Sequence, residues 1–591
     1  RRVVHDIHVP DWDERFLAKF DPREFVDEMV AMRAQELVFF AHSHVGLFLY
    51  PTRVGRAHRG LRGRNVVREV VERCRARKLA IVLYASVIYD NYAAEAHPDW
   101  RIRHADGSVY GAHERYGTVC PNSPYRDYVQ AWTEELCREF DFDGVRFDMT
   151  YWPTVCYCAH CRARYRRETA AEMPTVVNWL DETWVDFQHR REAWLAEFAA
   201  LATGIVRRMK PGATVEHQAS TLPLNWTYGV NASLVPQNDF LQGDFYGDAV
   251  QGSFVRKLLE DLTPRRPMAF ETSFSLSLRD HTGRKSEALL TAKAASAIAD
   301  AAAFVFIGAV DPEGTLNELA QRRMGAVFEK LAPFWEHVGG ERVVDVALYY
   351  SLDSKFDYAG NGRPVMQADT HDVHTASVMD AVRALSARHV PYGVITKHSL
   401  AKLARCRVLV LANVNAMDDE EVAAIRAWVR GGGTVYASGS TSLVDKRGRL
   451  QRDFMLADVF GVSFVEANWQ PAVRHVAPTA GGQTVFRDWT AQHPPQVKAA
   501  RVRVRAHACA RVLATTTLPW PPEDLRRFTS IHSNPPWTAT EEPELVEHAF
   551  GRGRAIYASA PLESIEALTE TFIALVTSGG VGFHFEVDAP A

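Results

Sequence analysis

Apolar residues in the first part of the chain come in short unbroken runs rather than in alternation. They stand at 3–8 (VVHDIH), 37–43 (LVFFAHS), 79–86 (LAIVLYAS), 144–149 (GVRFDM), 214–220 (TVEHQAS), 240–246 (FLQGDFY), 267–273 (PMAFETS) and 303–309 (AFVFIGA). Near-continuous runs of this length are the mark of parallel strands covered on both faces. Stretches between them, such as 22–33, 66–77, 125–140, 184–209 and 286–302, read as helices. Eight strand–helix repeats predict a (β/α)8 barrel, whose active site lies at the C-terminal ends of the strands. Polar residues fall at those ends: His5 and His8, His42 and His44, Asp148, Glu216, Asp244 and Tyr246, Glu271, and Asp311 after the eighth run. A polar residue at nearly every strand end argues for an enzyme.

Near residue 340 the pattern restarts. Strand-like runs at 343–351, 390–396, 406–412 and 433–439 alternate with helix-like 374–388 and 418–430, which predicts an open, doubly wound α/β sheet. Gly431, Gly432 and Gly433 read as a turn, since no helix follows at phosphate-loop spacing. From about 465 the chain is richer in Pro and Thr, with short β runs, and closes with a strand at 553–561 and a helix at 562–577. The expected class is α/β. A barrel spans 1–340, a second α/β domain 341–464, and a β-rich region at 465–591 completes that second domain.

Composition narrows the partners. The 591 residues are 47% hydrophobic and 24% charged, with a formal net charge of −4, which gives no basic face for nucleic acid or a membrane surface. No apolar run approaches the roughly 18 residues of a membrane span. The opening RRVVHDIHVP has no leader character. Eight cysteines in so long a chain do not make a disulfide framework. A reducing cytoplasm is therefore expected.

Two chemistries lie back to back in FDGVRFDMTYWPTVCYCAHC (142–161). Cys156, Cys158 and Cys161 supply three thiolates at metal-ligand spacing. A closed structural zinc site needs four ligands, and Cys120 is the expected fourth, with His160 competing. Four thiolates leave no open position for water, so the zinc would brace the loop rather than act in catalysis. Glycoside hydrolysis needs two carboxyl groups, roughly 5–5.5 Å apart in retaining enzymes and about 6.5–9.5 Å apart in inverting ones. Strands four and seven face each other across a barrel mouth, which makes Asp148 and Glu271 the expected pair, with Glu216 and Asp244 in reserve. His42 and His44, two apart at a strand end, are expected to share one side and meet sugar hydroxyls, with His5 joining them. Tyr151, Trp152, Tyr246 and Trp226 offer flat faces for a sugar ring.

These residues resemble known families. VCYCAHCRARYRRE, Cys120 and DVALYYS are similar to glycoside hydrolase family 42, β-galactosidases with a barrel, a cysteine zinc site and a flavodoxin-like trimerisation domain. FFAHSHVGLFLYPTRVG and DGVRFDMTYWP resemble the family 29 α-L-fucosidases, in which an Asp ending strand four is the nucleophile. YPTRVGRAH, HPDWRIRHADG, CPNSPYRDYV and FDGVRFDM most resemble the hypothetical glycosyl hydrolase 6 group, over nearly the whole chain. Phe147-Asp148 stands where family 42 carries an Asn-Glu pair. The resemblance therefore implies a retaining exo-glycosidase of α-L-fucosidase type with Asp148 as nucleophile; Glu271 is expected as acid/base from its place across the barrel mouth, the reverse assignment being the alternative. Behind it stand a β-galactosidase or arabinosidase, and an inactive carbohydrate-binding barrel. The second domain implies a homo-oligomer, dimer or trimer.

Overall fold

In the computed structural model, which describes residues 1–520, 526 and 528–578, the eight early runs are eight parallel strands. They are β1 (Arg2–Asp6), β2 (Glu36–His42), β3 (Ala80–Ser86), β4 (Gly144–Asp148), β5 (Thr214–His217), β6 (Gln242–Asp244), β7 (Ala269–Ser273) and β8 (Ala303–Ala309). They pair in the order β5-β4-β3-β2-β1-β8-β7-β6. A parallel bridge between Gln218 and Gln242 joins the two remaining edges, so the predicted barrel is nearly closed.

Local chemistry sets the surrounding helices. The first, α1 (Pro22–Ala31), starts where Asp21 accepts hydrogen bonds from the Arg23 and Glu24 amides, with Pro22 pre-set at its first position. The next, α2 (Val66–Arg77), buries Val66, Val67, Val70, Val71 and Cys74, the stripe expected of a helix lying on a sheet. At β8, Gly308 faces the ring of His5, and a Cβ there would collide with the imidazole.

The barrel interior is unusually charged. Barrel cores are ordinarily layers of branched apolar side chains. Here Arg2 pairs with Glu36 and Glu216 low in the barrel, and Arg146 pairs with Glu271 (2.6 Å). Buried charges persist only when paired and hydrogen-bonded, so these couples form an ordered polar base beneath the mouth.

The chain divides into two compact units. The barrel unit takes residues 1–175, 187–340 and 364–367, and the second takes 176–186, 341–363 and the chain from 368. In the second, β9 (Val346–Tyr349), β10 (Tyr392–Ile395), β11 (Val408–Leu411) and β12 (Thr434–Ser438) are parallel. They are followed by β13 (Val462–Pro478), β14 (Gln496–Ala506), β15 (Arg511–Pro519), β16 (Pro536–Phe550) and β17 (Gly553–Ala558). One sheet holds all nine, in the order β10-β9-β11-β12-β17-β16-β15-β13-β14. Strand β17 lies parallel to β12, giving the doubly wound half its fifth strand, and antiparallel pairing extends the sheet from there. Of the C-terminal region expected at 465–591, residues 521–525, 527 and 579–591 lie outside the described residues.

Candidate active site

A cavity of about 670 Å³ opens at the C-terminal ends of the barrel strands. Its polar lining includes Asp6 at the end of β1 and His8 just after it, His44 after β2, Tyr84 of β3, Arg146 and Asp148 of β4, Gln218 after β5, Asp244 and Tyr246 at β6, and Glu271 of β7. Asp148 and Glu271, expected from opposite sides of the mouth, both face this space.

Asp148 ends β4, and Met149 follows in the left-handed region (φ 64°), a conformation that non-glycine residues rarely adopt. The turn leaves the carboxyl group in the cavity wall at 7% exposure. The Tyr84 hydroxyl donates to Oδ2, and Arg146 Nη2 lies 3.8 Å from Oδ1. Oδ1 accepts no hydrogen bond among the described residues. Burial raises the Asp148 pKa above the usual carboxylate range, with Arg146 opposing it.

Glu271 is 2% exposed and accepts from Arg146 Nη1 at 2.6 Å. With its amide oriented to satisfy its neighbours, Gln242 donates to Glu271 Oε2 (2.8 Å) and accepts from Arg146. Desolvation first, then the nearby Asp244 and Asp148 carboxylates, push Glu271 up to about 7 against the pull of Arg146. Asp6 keeps 41% of its side-chain surface, but that surface lies inside the cavity. Removal from bulk water, with Glu271 and Asp148 close by, pushes it up to about 8. Asp244 is held by Gln218 Nε2 (2.8 Å) and Tyr246 Oη (2.6 Å), which fixes it as an oriented acceptor.

Hydrogen bonding assigns the imidazole protons. The Ser86 hydroxyl donates its one proton to the Tyr89 carbonyl (2.8 Å) and so accepts from His44 Nδ1 (2.7 Å). Burial holds His44 neutral, well below its usual pKa, so its Nε2 is a bare acceptor. His8 Nδ1 accepts from the His44 amide (3.2 Å), and burial lowers its pKa to about 3; a neutral His8 therefore carries its proton on Nε2. The two rings stack at 3.7 Å and 17°. Together they offer one donor and one acceptor side by side, which suits neighbouring hydroxyl groups.

The remaining site expectations divide. Tyr151 and Tyr246 line the cavity. Trp152 is buried and donates to the Arg191 carbonyl (3.0 Å), and Trp226 is also buried outside the cavity lining. His5 faces the helix layer, where Gln321 (2.6 Å) and Phe25 meet it, because Val4, Asp6 and His8 take the inward positions of that stretch. His42 and His44 are not on one side. The pairing of β2 with β3 slips between Phe40 and His42, and His42 turns to the Ser86 carbonyl (2.9 Å) beneath Trp132. Glu216 lies deep in the barrel, bound by Arg2. Asp311 is held by His281, itself a cavity residue (2.8 Å). Sequence reasoning missed Asp6, Arg146, Tyr84 and Gln218, and passed over His8. The available signal was strand parity: Arg146 precedes Asp148 by two, and Asp6 precedes His8 by two.

The Sγ atoms of Cys120, Cys156, Cys158 and Cys161 lie within 4.8 Å of one another, all buried. It is the only such ligand group among the described residues, and His160 is not part of it. Asn122 directs its backbone amide at Cys120 (3.3 Å) and its side-chain amide at Cys161 (3.4 Å), which favours thiolate character. Four soft donors at this separation can hold one tetrahedral metal ion and suit zinc.

Comparison with known proteins fits this division of the chain. Residues 21–149 match the family model of hypothetical glycosyl hydrolase 6, and 344–516 match that of the β-galactosidase trimerisation domain. Both are resemblances read from the sequence. A comparison with curated proteins gave no match. Among solved structures, α-L-fucosidase isoenzyme 2 from Paenibacillus thiaminolyticus is similar at a TM-score of 0.75 and 18% identity, over 98% of this chain and 83% of that one. A β-galactosidase from Rahnella sp. R3 is similar at 0.72 and 16%, over 98% and 89%. One from Bacillus circulans sp. alkalophilus is similar at 0.70 and 13%, over 94% and 86%. At these identities the likeness establishes the shared fold. Among the described residues, no helix is long and apolar enough to cross a membrane.

Proposed function

We propose that the barrel is a retaining glycoside hydrolase that removes a terminal sugar, of α-L-fucosidase type, with Asp148 as its nucleophile. One observation carries this reading. Tyr84 donates to Asp148 Oδ2 and the Arg146 guanidinium stands 3.8 Å from Oδ1, so the carboxylate is held in one orientation in the cavity wall. A carboxylate oriented in this way at the cavity wall is suited to attack on an anomeric carbon. A carboxylate oxygen of Asp148 bonds to C1 as the C1–O bond breaks, and Glu271 gives its proton to the departing oxygen. Water then attacks C1, its proton passes to Glu271, and the ester opens to release the sugar with retained configuration. A carboxyl near pH 7 suits both halves of that exchange. The His8–His44 pair would read sugar hydroxyls.

Asp6 competes for the acid/base role, because Arg146 already engages Glu271 whereas Asp6 is more accessible within the cavity. Variants Asp148→Gly, Glu271→Ala and Asp6→Ala with added azide separate the roles. Loss of the nucleophile gives a glycosyl azide of inverted configuration, and loss of the acid/base gives one of retained configuration. Full activity in Asp148→Gly would overturn the proposal. A panel of nitrophenyl glycosides tests the sugar. α-L-Fucoside turnover supports this reading, and β-galactoside turnover alone the second, which the similar β-galactosidase structures favour.

The four cysteines would hold one structural zinc, bracing the chain that follows Asp148. The match to a trimerisation domain supports a homo-oligomer, which light scattering at micromolar concentration checks; a monomer would contradict it.

A further inference from the structure

The mouth of the barrel cavity differs from one side to the other. The chain after β1 brings Pro10, Trp12 and Phe16 to it, the chain after β7 brings Leu278, and the chain after β8 brings Val310 and Pro312. Strands β7, β8 and β1 are neighbours in the barrel, so these six side chains make one apolar arc of the rim. Backbone bonds hold the arc together. The Leu17 amide donates to the Pro312 carbonyl (2.8 Å) and the Lys19 amide to the Glu313 carbonyl (2.9 Å), joining the chain after β1 to that after β8. Trp12 meets Phe16 edge to face (4.8 Å, 77°) yet is 73% exposed, and Leu278 is 61% exposed. Large apolar side chains grouped in water at the lip of a polar cavity mark a ligand-binding surface.

The charged and imidazole groups of the lining lie off this arc or are already engaged. Asp6, Arg146, Asp148, Asp244 and Glu271 stand on the strands themselves, and His8 stacks on His44. Arg115 enters with Tyr116 from the connection between β3 and β4, where the Tyr116 ring meets that of His44 (5.1 Å, 79°). His281 is on the arc, with its Nε2 tied to Asp311 Oδ1 (2.8 Å). Among the side chains of the arc, a second sugar ring would find one imidazole nitrogen for its several hydroxyls. An apolar ring needs no such partner.

Proton transfer directs the departing group to the same arc. A proton donor must come within about 2.6–3.2 Å of the oxygen it protonates. Both candidate donors, Glu271 on β7 and Asp6 on β1, belong to the strands that flank β8, whereas Asp148 comes from β4 on the far side of the barrel. The leaving group therefore departs towards the apolar arc whichever of the two carboxyls acts. We propose that this arc is the leaving-group subsite and selects glycosides whose aglycone is an apolar ring, aromatic or alicyclic, seated against Trp12 and Leu278, a selection that rests on the barrel being a glycoside hydrolase.

The test compares methyl, cyclohexylmethyl and benzyl glycosides of the sugar most active in the nitrophenyl panel, with a disaccharide carrying that sugar at its non-reducing end. The three alcohols are of nearly equal acidity and a sugar hydroxyl is more acidic, so leaving-group chemistry alone would favour the disaccharide. Wild type is expected to show a kcat/KM roughly tenfold or more higher for the benzyl and cyclohexylmethyl glycosides than for the methyl glycoside, and higher than for the disaccharide. In Trp12→Ala and in Leu278→Ala the benzyl-to-methyl ratio should fall about fivefold or more. A ratio taken on one preparation is insensitive to misfolded protein. Equal rates for benzyl and methyl in wild type, an unchanged ratio in both variants, or a preference for the disaccharide would overturn the proposal. So would variants that keep the ratio but lose oligomer order in light scattering, since a second copy of the chain would then cover the rim. Turnover without aglycone preference removes this subsite alone, whereas silence across the nitrophenyl panel removes the glycosidase reading and the subsite with it.

Discussion

Tyr84→Phe removes one oxygen from the candidate site and little else. The ring is buried, stacked on Phe40 at 3.8 Å and 14°, with the Arg146 guanidinium over its other side at 5.6 Å. Phenylalanine keeps both contacts, so the fold should hold. What is lost is the hydrogen bond to Asp148 Oδ2. Bonds to charged groups contribute about 1.5–3 kcal/mol, and a factor of ten in rate is about 1.4 kcal/mol, so kcat/KM should fall roughly 10- to 100-fold. The sign of the pH effect follows from the charge. Burial raises the Asp148 pKa, and the Tyr84 bond lowers it by favouring the carboxylate. Without that bond the pKa rises further, and less Asp148 is ionised at the acidic end. The acidic limb of kcat/KM should therefore move to higher pH, with the largest loss at low pH and partial recovery above neutrality. The assay is a pH–rate profile on the most active nitrophenyl glycoside, with a melting curve to confirm the fold. An equal loss at every pH, or no loss, would refute the reasoning.

Other tests follow from the same geometry. Arg146→Met would leave Glu271 buried without its ion pair, a class of change that costs about 3–5 kcal/mol; denaturant unfolding should show it, and the Glu271 titration should move up from about 7. In wild type, ionising Glu271 (folded value raised to about 7) should make unfolding easier as pH rises beyond the ordinary carboxylate range, read as a falling melting temperature between pH 5 and 8. Cys158→Ser, or prolonged chelation, should take zinc from one equivalent to well below it and lower the melting temperature by roughly 5–10 °C. Elemental analysis finding no zinc in protein purified without chelator would contradict that site.

Much of the architecture was legible because parallel strands covered on both faces leave continuous apolar runs. Three of the clustered cysteines were legible from spacing, because Cys156, Cys158 and Cys161 are local, and Cys120 was added because it follows the short stretch at 117–119. The inner lining was harder to read. His5 and His8 end one run, and only the parity shared with Asp6 shows that His8 faces inward. His42 follows a slip in strand pairing, which sequence period does not register. Arg146 and Tyr84 stand inside apolar runs, where a polar side chain reads as an exception until its partners Glu271 and Asp148 arrive from distant strands. Glu216 has the composition of a site residue, but its depth in the barrel makes it a partner of Arg2. In the second unit, β17 joins β12 across more than a hundred residues of chain, a pairing that no local pattern encodes.

The central claim, a covalent bond through Asp148, is tested most directly by trapping it. The protein would be incubated with 2-deoxy-2-fluoro-L-fucosyl fluoride, which forms the glycosyl-enzyme quickly and releases it slowly, then digested and mapped by mass spectrometry. The expected result is one adduct per chain, on the peptide carrying Asp148. An adduct on Glu271 or Asp6, or inverted product from a turnover that forms no adduct, would contradict it.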